Sequence, residues 1–182
     1  RSLGQLAYRS DIALSELVAN AWDAGATVVD IKVPAANGGV LVVEDDGTGL
    51  SRDQFVGRWM TLAYNRLKRQ GDKVEFPPSR TGMARLAYGR NGVGRHGLLC
   101  FGDRYVVETR RAGTKFVFDV ATASGASPFV LRSETSAKAR GHGTKLSVRV
   151  ERHLPNVEEL TEVLSARFMH DPQFKVCVNG KA

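Results

Sequence analysis

Three oxygen-bearing side chains near the start of the chain carry the first chemical signal. Glu16, Asn20 and Asp23 are separated by four and three positions. An α-helix turns by about 100° per residue, so this spacing places them within about 60° of one another. Neither carboxylate has a Lys or Arg three or four positions away, although exposed helix faces usually carry such pairs. We therefore expect this polar stripe to meet a metal ion or the hydrogen-bond donors of a ligand.

Two glycine-rich stretches indicate sites of close backbone approach. The first is the turn Asp45-Asp46-Gly47-Thr48-Gly49, and the second is Gly92-Val93-Gly94 followed by Gly97. Glycines permit unusual dihedrals, and backbone N–H groups at the start of a helix bind phosphate oxygens. No Gly-Lys-Ser/Thr follows, and no strand of a βαβ unit leads into the GxGxxG pattern at 92–97. These stretches predict an anion site that is neither a lysine-containing phosphate loop nor a dinucleotide fold.

Hydrophobic periodicity predicts the elements that position these residues. Apolar side chains opposite the polar stripe favour a helix capped by Ser10 or Asp11 and ending near Ala24. A hairpin of two strands, 27–33 and 40–44, follows, and Ser51 begins a second helix that reaches about Leu62. Further along the chain we predict strands at 104–110, 115–120, 129–133 and 144–150, arranged as a β-meander, then a helix at 155–169 and a strand at 174–178.

Composition limits the class of protein. The 182 residues are 42% apolar and 25% charged, which predicts one globular domain over 1–182, with an irregular lid at about 63–97. The net charge of +7 favours polyanionic partners. No long apolar run or signal-peptide core is present, so we expect a cytoplasmic protein, or a nuclear one in a eukaryote, with no membrane contact. Cys100 and Cys177 are expected to be buried thiols.

Four motifs occur in order: ELVANAWDAGA, DDGTGL, GRNGVGRHGL and GTKLSV. This series, over about residues 12 to 150, resembles the GHKL superfamily, which includes the DNA gyrase B subunit, heat-shock chaperones, histidine kinases, MutL and MORC ATPases. The resemblance implies an α/β (α+β) two-layer sandwich, the Bergerat fold. In that fold a mixed, mostly antiparallel sheet carries helices on one face, and ATP lies between the helices and a lid.

The resemblance also implies roles for individual residues. Glu16 matches the general base that activates water, Asn20 the Mg²⁺ ligand, and Asp23 a supporting group. Asp45 matches the aspartate that accepts a hydrogen bond from the adenine amine, with Thr144 sharing a water with it. The remaining expected contacts are Gly47 and Gly49 at the adenine wall, Gly92, Val93, Gly94 and Gly97 at the phosphate end of the lid, and Lys68 near the terminal phosphate.

The activity that this resemblance implies is Mg²⁺-dependent ATP binding and hydrolysis, which would drive a conformational and dimerisation switch in a larger protein. Because the chain begins with Arg1, we treat it as a fragment whose downstream domain lies outside it, and we expect slow turnover in isolation. Glu16 together with Asp23 and the DAGA sequel resembles the MutL and MORC branch. A phosphotransfer domain of the same fold and a non-hydrolysing nucleotide-binding domain remain alternatives. Nucleic acid stays open as a partner, resting on charge and family analogy.

Overall fold

A seven-stranded mixed sheet forms the centre of the chain in the computed structural model, which describes residues 9–61, 71–88, 94–124 and 127–181. Its strands are β1 (Val28–Lys32), β2 (Val40–Asp45), β3 (Arg104–Arg111), β4 (Thr114–Thr122), β5 (Phe129–Lys138), β6 (Gly143–Arg149) and β7 (Lys175–Val178). Their order in the sheet is β5-β4-β3-β6-β2-β1-β7, and every pairing is antiparallel except that of β1 with β7.

Helix α1 (Ser10–Asp23) packs on one face of this sheet. Its apolar positions, including Leu14, Leu17 and Val18, are buried in the core, and the polar stripe is only partly exposed. The predicted cap is wrong, because Ser10 already lies inside the helix and Arg9 occupies the cap position without a side-chain hydrogen bond. Gly25 follows with φ of +70°, so the predicted helix end is confirmed.

The predicted meander is correct for only three of its four strands. β3, β4 and β5 pair in succession, but β6 returns across them and inserts between β3 and β2. The alternating pattern identifies a half-buried strand without specifying its neighbour, so packing on both sides of β6 decides its place. This insertion brings the start of β6 beside the end of β2.

The segment after β2 is helical, but it is not one regular α-helix. Ser51 forms a capping box with Gln54 at the start of α2 (Arg52–Gln54), which continues as a π-helical turn over Phe55–Trp59. Phe55 and Trp59 are buried, as the periodicity predicts, whereas Leu62 lies outside the described residues. π-Helical turns recur at functional sites, and this one ends beside the pocket described below.

Residues 71–88 form no helix or named strand, which confirms the irregular segment predicted there as far as the structure describes it. Two arginines attach the segment to the junction between α1 and β1. Arg80 donates to the backbone oxygens of Gly25 and Asp46 and forms an ion pair with the Asp46 carboxylate. The guanidinium of Arg85 lies 4.0 Å from the ring centre of Trp22 and donates to the carbonyl oxygen of Ala26 at 2.8 Å.

Two elements complete the described core. A 3₁₀ helix (Gly94–Cys100) packs against α1, and α3 (Val157–Phe168), capped by Asn156, packs against α1 and β7. Cys100 and Cys177 are buried free thiols, as predicted, and burial raises the pKa of Cys100 to about 11. None of the helices in the described ranges is long and apolar enough to cross a lipid bilayer.

Candidate functional site

A row of polar side chains crosses three neighbouring strands on the face that α1 covers. Asp45 on β2 pairs with Thr144 on β6, and Thr144 pairs with Thr109 on β3. Side chains in register on antiparallel neighbours point to the same face of a sheet. Thr109 and Thr144 are buried, whereas Asp45 is partly exposed. The sheet therefore places one carboxylate and two hydroxyls within an otherwise apolar layer.

The surroundings of Asp45 keep its carboxyl close to its titration point at neutral pH. Removal from water raises the pKa of Asp45 to about 7, although hydrogen bonds from backbone N–H groups, above all that of Gly47, oppose the rise. The Gly47 N–H donates to Oδ1 of Asp45 at 2.8 Å. A ligand donor that reaches the other carboxylate oxygen would favour the ionised form.

Thr109 supports Thr144 from behind. Its hydroxyl oxygen accepts from the N–H of Leu50 at 2.7 Å and lies 3.3 Å from the Thr144 hydroxyl and 3.4 Å from the Gly143 carbonyl oxygen. Sequence reasoning missed Thr109, since a threonine in a strand carries no signal beyond β-propensity. Only the register of three strands shows that it contacts the site.

A pocket lies between α1 and this face of the sheet. Among the predicted site residues, Asn20, Asp23, Asp45, Gly49 and Thr144 line it. The rest of its described lining is mostly apolar, with Thr48, Glu75 and two arginines as the polar exceptions: Leu17, Ala21, Ala24, Val43, Thr48, Leu50, Arg58, Trp59, Glu75, Arg95 and Leu146. Apolar walls with a few convergent polar groups are typical of small-molecule sites.

Asn20 carries the clearest sign of a missing partner. Its Nδ2 is fully buried and has no hydrogen-bond partner within the described part of the chain. Such orphaned amides are costly unless a bound group satisfies them. A flip exchanges the amide N and O, so this side chain can also offer its oxygen to Mg²⁺, which prefers oxygen ligands and keeps several waters. No group of three His, Cys, Asp or Glu side chains in the described ranges is placed to hold a metal ion.

Glu16 and Asp23, the two carboxylates of the stripe, have partners from distant parts of the chain. Glu16 does not line the described pocket, and its Oε1 lies 3.3 Å from Nη2 of Arg167 on α3. The Oδ1 of Asp23 accepts from the backbone N–H of Tyr88 at 2.6 Å. The expectation that the stripe meets a metal ion or a ligand stays a prediction, and local spacing could not show these donors because they come from other elements.

The predicted glycines divide by what they contact. Gly49 lines the pocket with φ of +66°, and a Cβ on it would lie 2.1 Å from the carbonyl oxygen of Arg110. Gly47 and Gly97 lie outside the described lining and allow close backbone packing against α1: a Cβ would lie 2.6 Å from the Ala24 oxygen and 2.8 Å from the Ala13 oxygen, respectively. Gly94 abuts Glu16, with 2.5 Å between its hypothetical Cβ and the Cβ of Glu16. Lys68, Gly92 and Val93 lie outside the described residues.

A closed hydrogen-bond network adjoins the pocket at Trp59. His96 Nε2 lies 2.9 Å from the Trp59 carbonyl oxygen, and its Nδ1 lies 2.8 Å from the hydroxyl of Tyr105. A carbonyl only accepts, so Nε2 carries the proton and Nδ1 accepts from Tyr105, whose oxygen accepts from Trp59 Nε1 at 2.9 Å. Burial lowers the pKa of His96 to about 4, which keeps this imidazole neutral. The network ties the π-helical turn that ends at Trp59 to the 3₁₀ helix Gly94–Cys100.

Comparison with known proteins identifies the family. The sequence model of the histidine kinase-, DNA gyrase B- and HSP90-like ATPases matches residues 8–149. The chain belongs to this family. Its fold is similar to that of the ATPase region of Saccharomyces cerevisiae topoisomerase II bound to ICRF-187, with a TM-score of 0.62 over 94% of this chain and 48% of that one at 17% identity. The predicted superfamily and fold class are thereby confirmed.

Curated relatives come from two branches of this family. The chaperone protein HtpG of Azorhizobium caulinodans is 28% identical over 153 residues, which is 75% of this chain and 24% of HtpG. The DNA mismatch repair protein MutL of Listeria monocytogenes is 32% identical over 69 residues, which is 38% of this chain and 12% of MutL. The chain thus spans a quarter or less of the length of these relatives, and the closer likeness to the MutL and MORC branch stays a prediction.

Proposed function

We propose that this chain binds ATP with Mg²⁺ and hydrolyses it to ADP and phosphate. The observation that carries the proposal is that one pocket is lined both by Asp45 and Thr144 from the sheet and by Asn20 and Asp23 from α1. A nucleotide has one hydrogen-bonding, flat, apolar end and one anionic end, and the lining of this pocket offers a matching group for each.

The Asp45 end suits adenine. The Oδ1 atom of Asp45 accepts from the Gly47 N–H, and a carboxylate has enough lone pairs to accept from an exocyclic amine as well. Val43, Leu50 and Leu146 line the same pocket and supply apolar contacts for a purine ring. A site built to accept from an amine discriminates strongly against a base that lacks one, because its own buried acceptor is then left unpaired.

The Asn20 end suits the phosphates. Asn20 has an unsatisfied amide, and Arg58 and Arg95 line the pocket and bring positive charge to it. A bound Mg²⁺ would neutralise charge on the phosphate oxygens and polarise the terminal phosphorus. Asn20 would complete the shell of that ion. Glu16 would accept the proton that a water molecule loses as its oxygen bonds to phosphorus and ADP leaves.

In the larger protein we propose that ATP favours a closed lid and a homodimer, whereas ADP does not. A ligand shifts such an equilibrium only by its differential affinity for the two states, so the terminal phosphate must make contacts that ADP lacks. Sedimentation velocity with a non-hydrolysable ATP analogue and with ADP measures this directly. The net charge of +7 makes nucleic acid a candidate partner of that larger protein, tested by salt-dependent binding.

Calorimetry and a turnover assay test the nucleotide proposal. The chain should bind Mg-ATP, and Glu16→Gln should reduce single-turnover hydrolysis by about 100-fold or more while changing the dissociation constant by less than about twofold. Glu162→Gln, the same change at an exposed position on α3, is the matched control and should leave both quantities unchanged.

Other results of the same two assays would favour one of the alternative functions or refute the proposal. Absence of Mg-ATP binding would refute the proposal altogether. Tight binding with no product, even at excess protein over hours, would indicate a non-hydrolysing nucleotide-binding domain. Transfer of the labelled terminal phosphate to a protein side chain, independent of Glu16, would indicate phosphotransfer. Full hydrolysis by Glu16→Gln would remove Glu16 from the role of base.

A further inference from the structure

Arg167, near the end of α3, reaches across to the side chain that we assign as the base. Its Nη2 lies 3.3 Å from Oε1 of Glu16, and both side chains are only 22% exposed. Because the two residues are separated by 151 positions, this contact depends on the packing of α3 against α1. A partly buried ion pair of this kind is screened by solvent much less than an exposed one.

The guanidinium of Arg167 is itself held from a second direction. Its Nε donates to the hydroxyl of Tyr88 at 3.0 Å, and its carbon lies 4.8 Å from the centre of the Tyr88 ring. The ring of Phe168 lies 5.4 Å away. A planar guanidinium that stacks on a ring and donates from two edges loses little further freedom when it meets a carboxylate. Arg167 is therefore preorganised before Glu16 is considered.

The other oxygen of Glu16 faces the glycine-rich stretch. Oε2 lies 3.0 Å from the point where a Cβ on Gly94 would stand. The carboxylate thus has Oε1 directed to Arg167 on α3 and Oε2 directed to the start of the 3₁₀ helix. A general base needs this kind of third group, which fixes the orientation of its side chain.

We propose that Arg167 is the positioning residue of the base. It holds Oε1 of Glu16 and so fixes the orientation in which the carboxylate accepts the proton from the attacking water. This inference rests on the proposed hydrolysis and adds a residue outside the four sequence motifs. Tyr88 supports Arg167 and so connects the segment 71–88, which carries Glu75 of the pocket lining, to the base.

Substitution of Arg167 tests the proposal with the 182-residue chain. Arg167→Met keeps the aliphatic stem and removes the charge. We expect kcat for ATP hydrolysis to fall at least tenfold, because the base is no longer held in place. The dissociation constant for Mg-ATP should change less than twofold. Arg167→Lys should recover part of the rate, and Tyr88→Phe, which removes only the hydroxyl acceptor, should lower it severalfold. Arg132→Met, the same change at an exposed position on the edge strand β5, is the matched control and should keep the parental rate.

Four results would overturn it. An unchanged kcat in a folded Arg167→Met variant shows that the ion pair does not position the base. A raised kcat shows that Arg167 restrains Glu16 in an inhibited state. A dissociation constant raised tenfold or more shows that Arg167 contacts the nucleotide. If the parent chain binds Mg-ATP but does not hydrolyse it, the proposed hydrolysis itself is wrong. That failure of the proposed function is recognised before any variant is compared.

Circular dichroism and an unfolding curve confirm that each variant is folded. If Arg167→Met does not fold, Tyr88→Phe supplies the test.

Discussion

Asp45 and Thr144 are direct partners across the antiparallel ladder between β2 and β6. Two polar side chains therefore lie side by side on the buried face of the sheet, where apolar residues pack more favourably. The row continues to Thr109 on β3, which has no exposed surface. Because β6 inserts between β2 and β3, the topology of the sheet rather than a local turn brings these three residues together.

Asp45→Asn is expected to abolish nucleotide binding. If the asparagine Oδ1 keeps the hydrogen bond from Gly47, its NH₂ replaces the second carboxylate oxygen and opposes the adenine amine, so two donors face each other. We expect the affinity for Mg-ATP to fall by about 100-fold or more, measured by calorimetry. An affinity within threefold of the parent would remove Asp45 from base recognition.

The same substitution should stabilise the ligand-free chain at alkaline pH. The pKa of Asp45 is about 7 in the fold, so between pH 4 and 7 the folded chain keeps a proton that the unfolded chain has lost. Stability therefore falls as the pH rises through this window, and the loss is complete above it. Asp45→Asn should raise the free energy of unfolding by on the order of 2 kcal/mol at pH 8 and by much less at pH 4. Urea titrations at the two pH values measure the difference, and a gain independent of pH would contradict this account.

His96 should give the opposite pH dependence. Burial lowers its pKa from the ordinary 6.5 to about 4, so the unfolded chain binds a proton more readily between these values. Stability is fully present above pH 6.5 and should decrease by up to about 3 kcal/mol as the pH falls to 4. Urea unfolding in an Asp45→Asn background isolates this contribution. His96→Phe should flatten the pH dependence there, and an equally steep loss in that variant would assign it to other groups.

Arg85 should be the main anchor of the segment 71–88. Its side chain is 4% exposed, stacks on Trp22 and lies 3.7 Å from a carboxylate oxygen of Asp171. Arg85→Ala leaves the carbonyl oxygen of Ala26 without its donor and opens a void beside Trp22, so we expect a cost of about 3 kcal/mol in urea unfolding. Arg104→Ala removes an exposed ion pair with Asp119 and should barely move the midpoint. Similar effects of the two substitutions would refute the anchoring role.

Hydrophobic periodicity predicted the elements well because it is a local property. The spacing of apolar residues within each segment is enough to predict three features. These are the apolar face of α1, the hairpin of β1 and β2, and the helix that contains Leu160 and Leu164. The order of the four motifs identified the family, which hydrophobic periodicity alone cannot indicate. Strand ends were less certain, and β5 extends to Lys138 although its last residues are exposed, because it pairs with β4 rather than covering the core.

The partners of the site residues could not be predicted in the same way. Glu16 lacks a cation within its own helix, yet Arg167 supplies one from α3, 151 positions later. Arg58 lines the pocket from the π-helical turn, and His96 joins Trp59 and Tyr105 in the core. Each of these contacts joins residues from different elements, up to 151 positions apart, and the residue types alone do not indicate the pairing. Tertiary packing alone decides which arginine contacts Glu16 and which one lines the pocket.

Gly94→Ala should impair hydrolysis because the position has no room for a side chain. An added Cβ would lie 2.5 Å from the Cβ of Glu16, so either the glycine-rich stretch or the Glu16 side chain must move. We expect turnover to fall at least tenfold, because a displaced base loses its alignment, and the free energy of unfolding to decrease by about 1 to 3 kcal/mol.

Gly57→Ala is the matched control, since nothing lies within 4 Å of its added Cβ and the site is helical and exposed. That variant should keep full activity and gain up to about 1 kcal/mol. Equal activity of the two variants would show that Gly94 does not constrain the base.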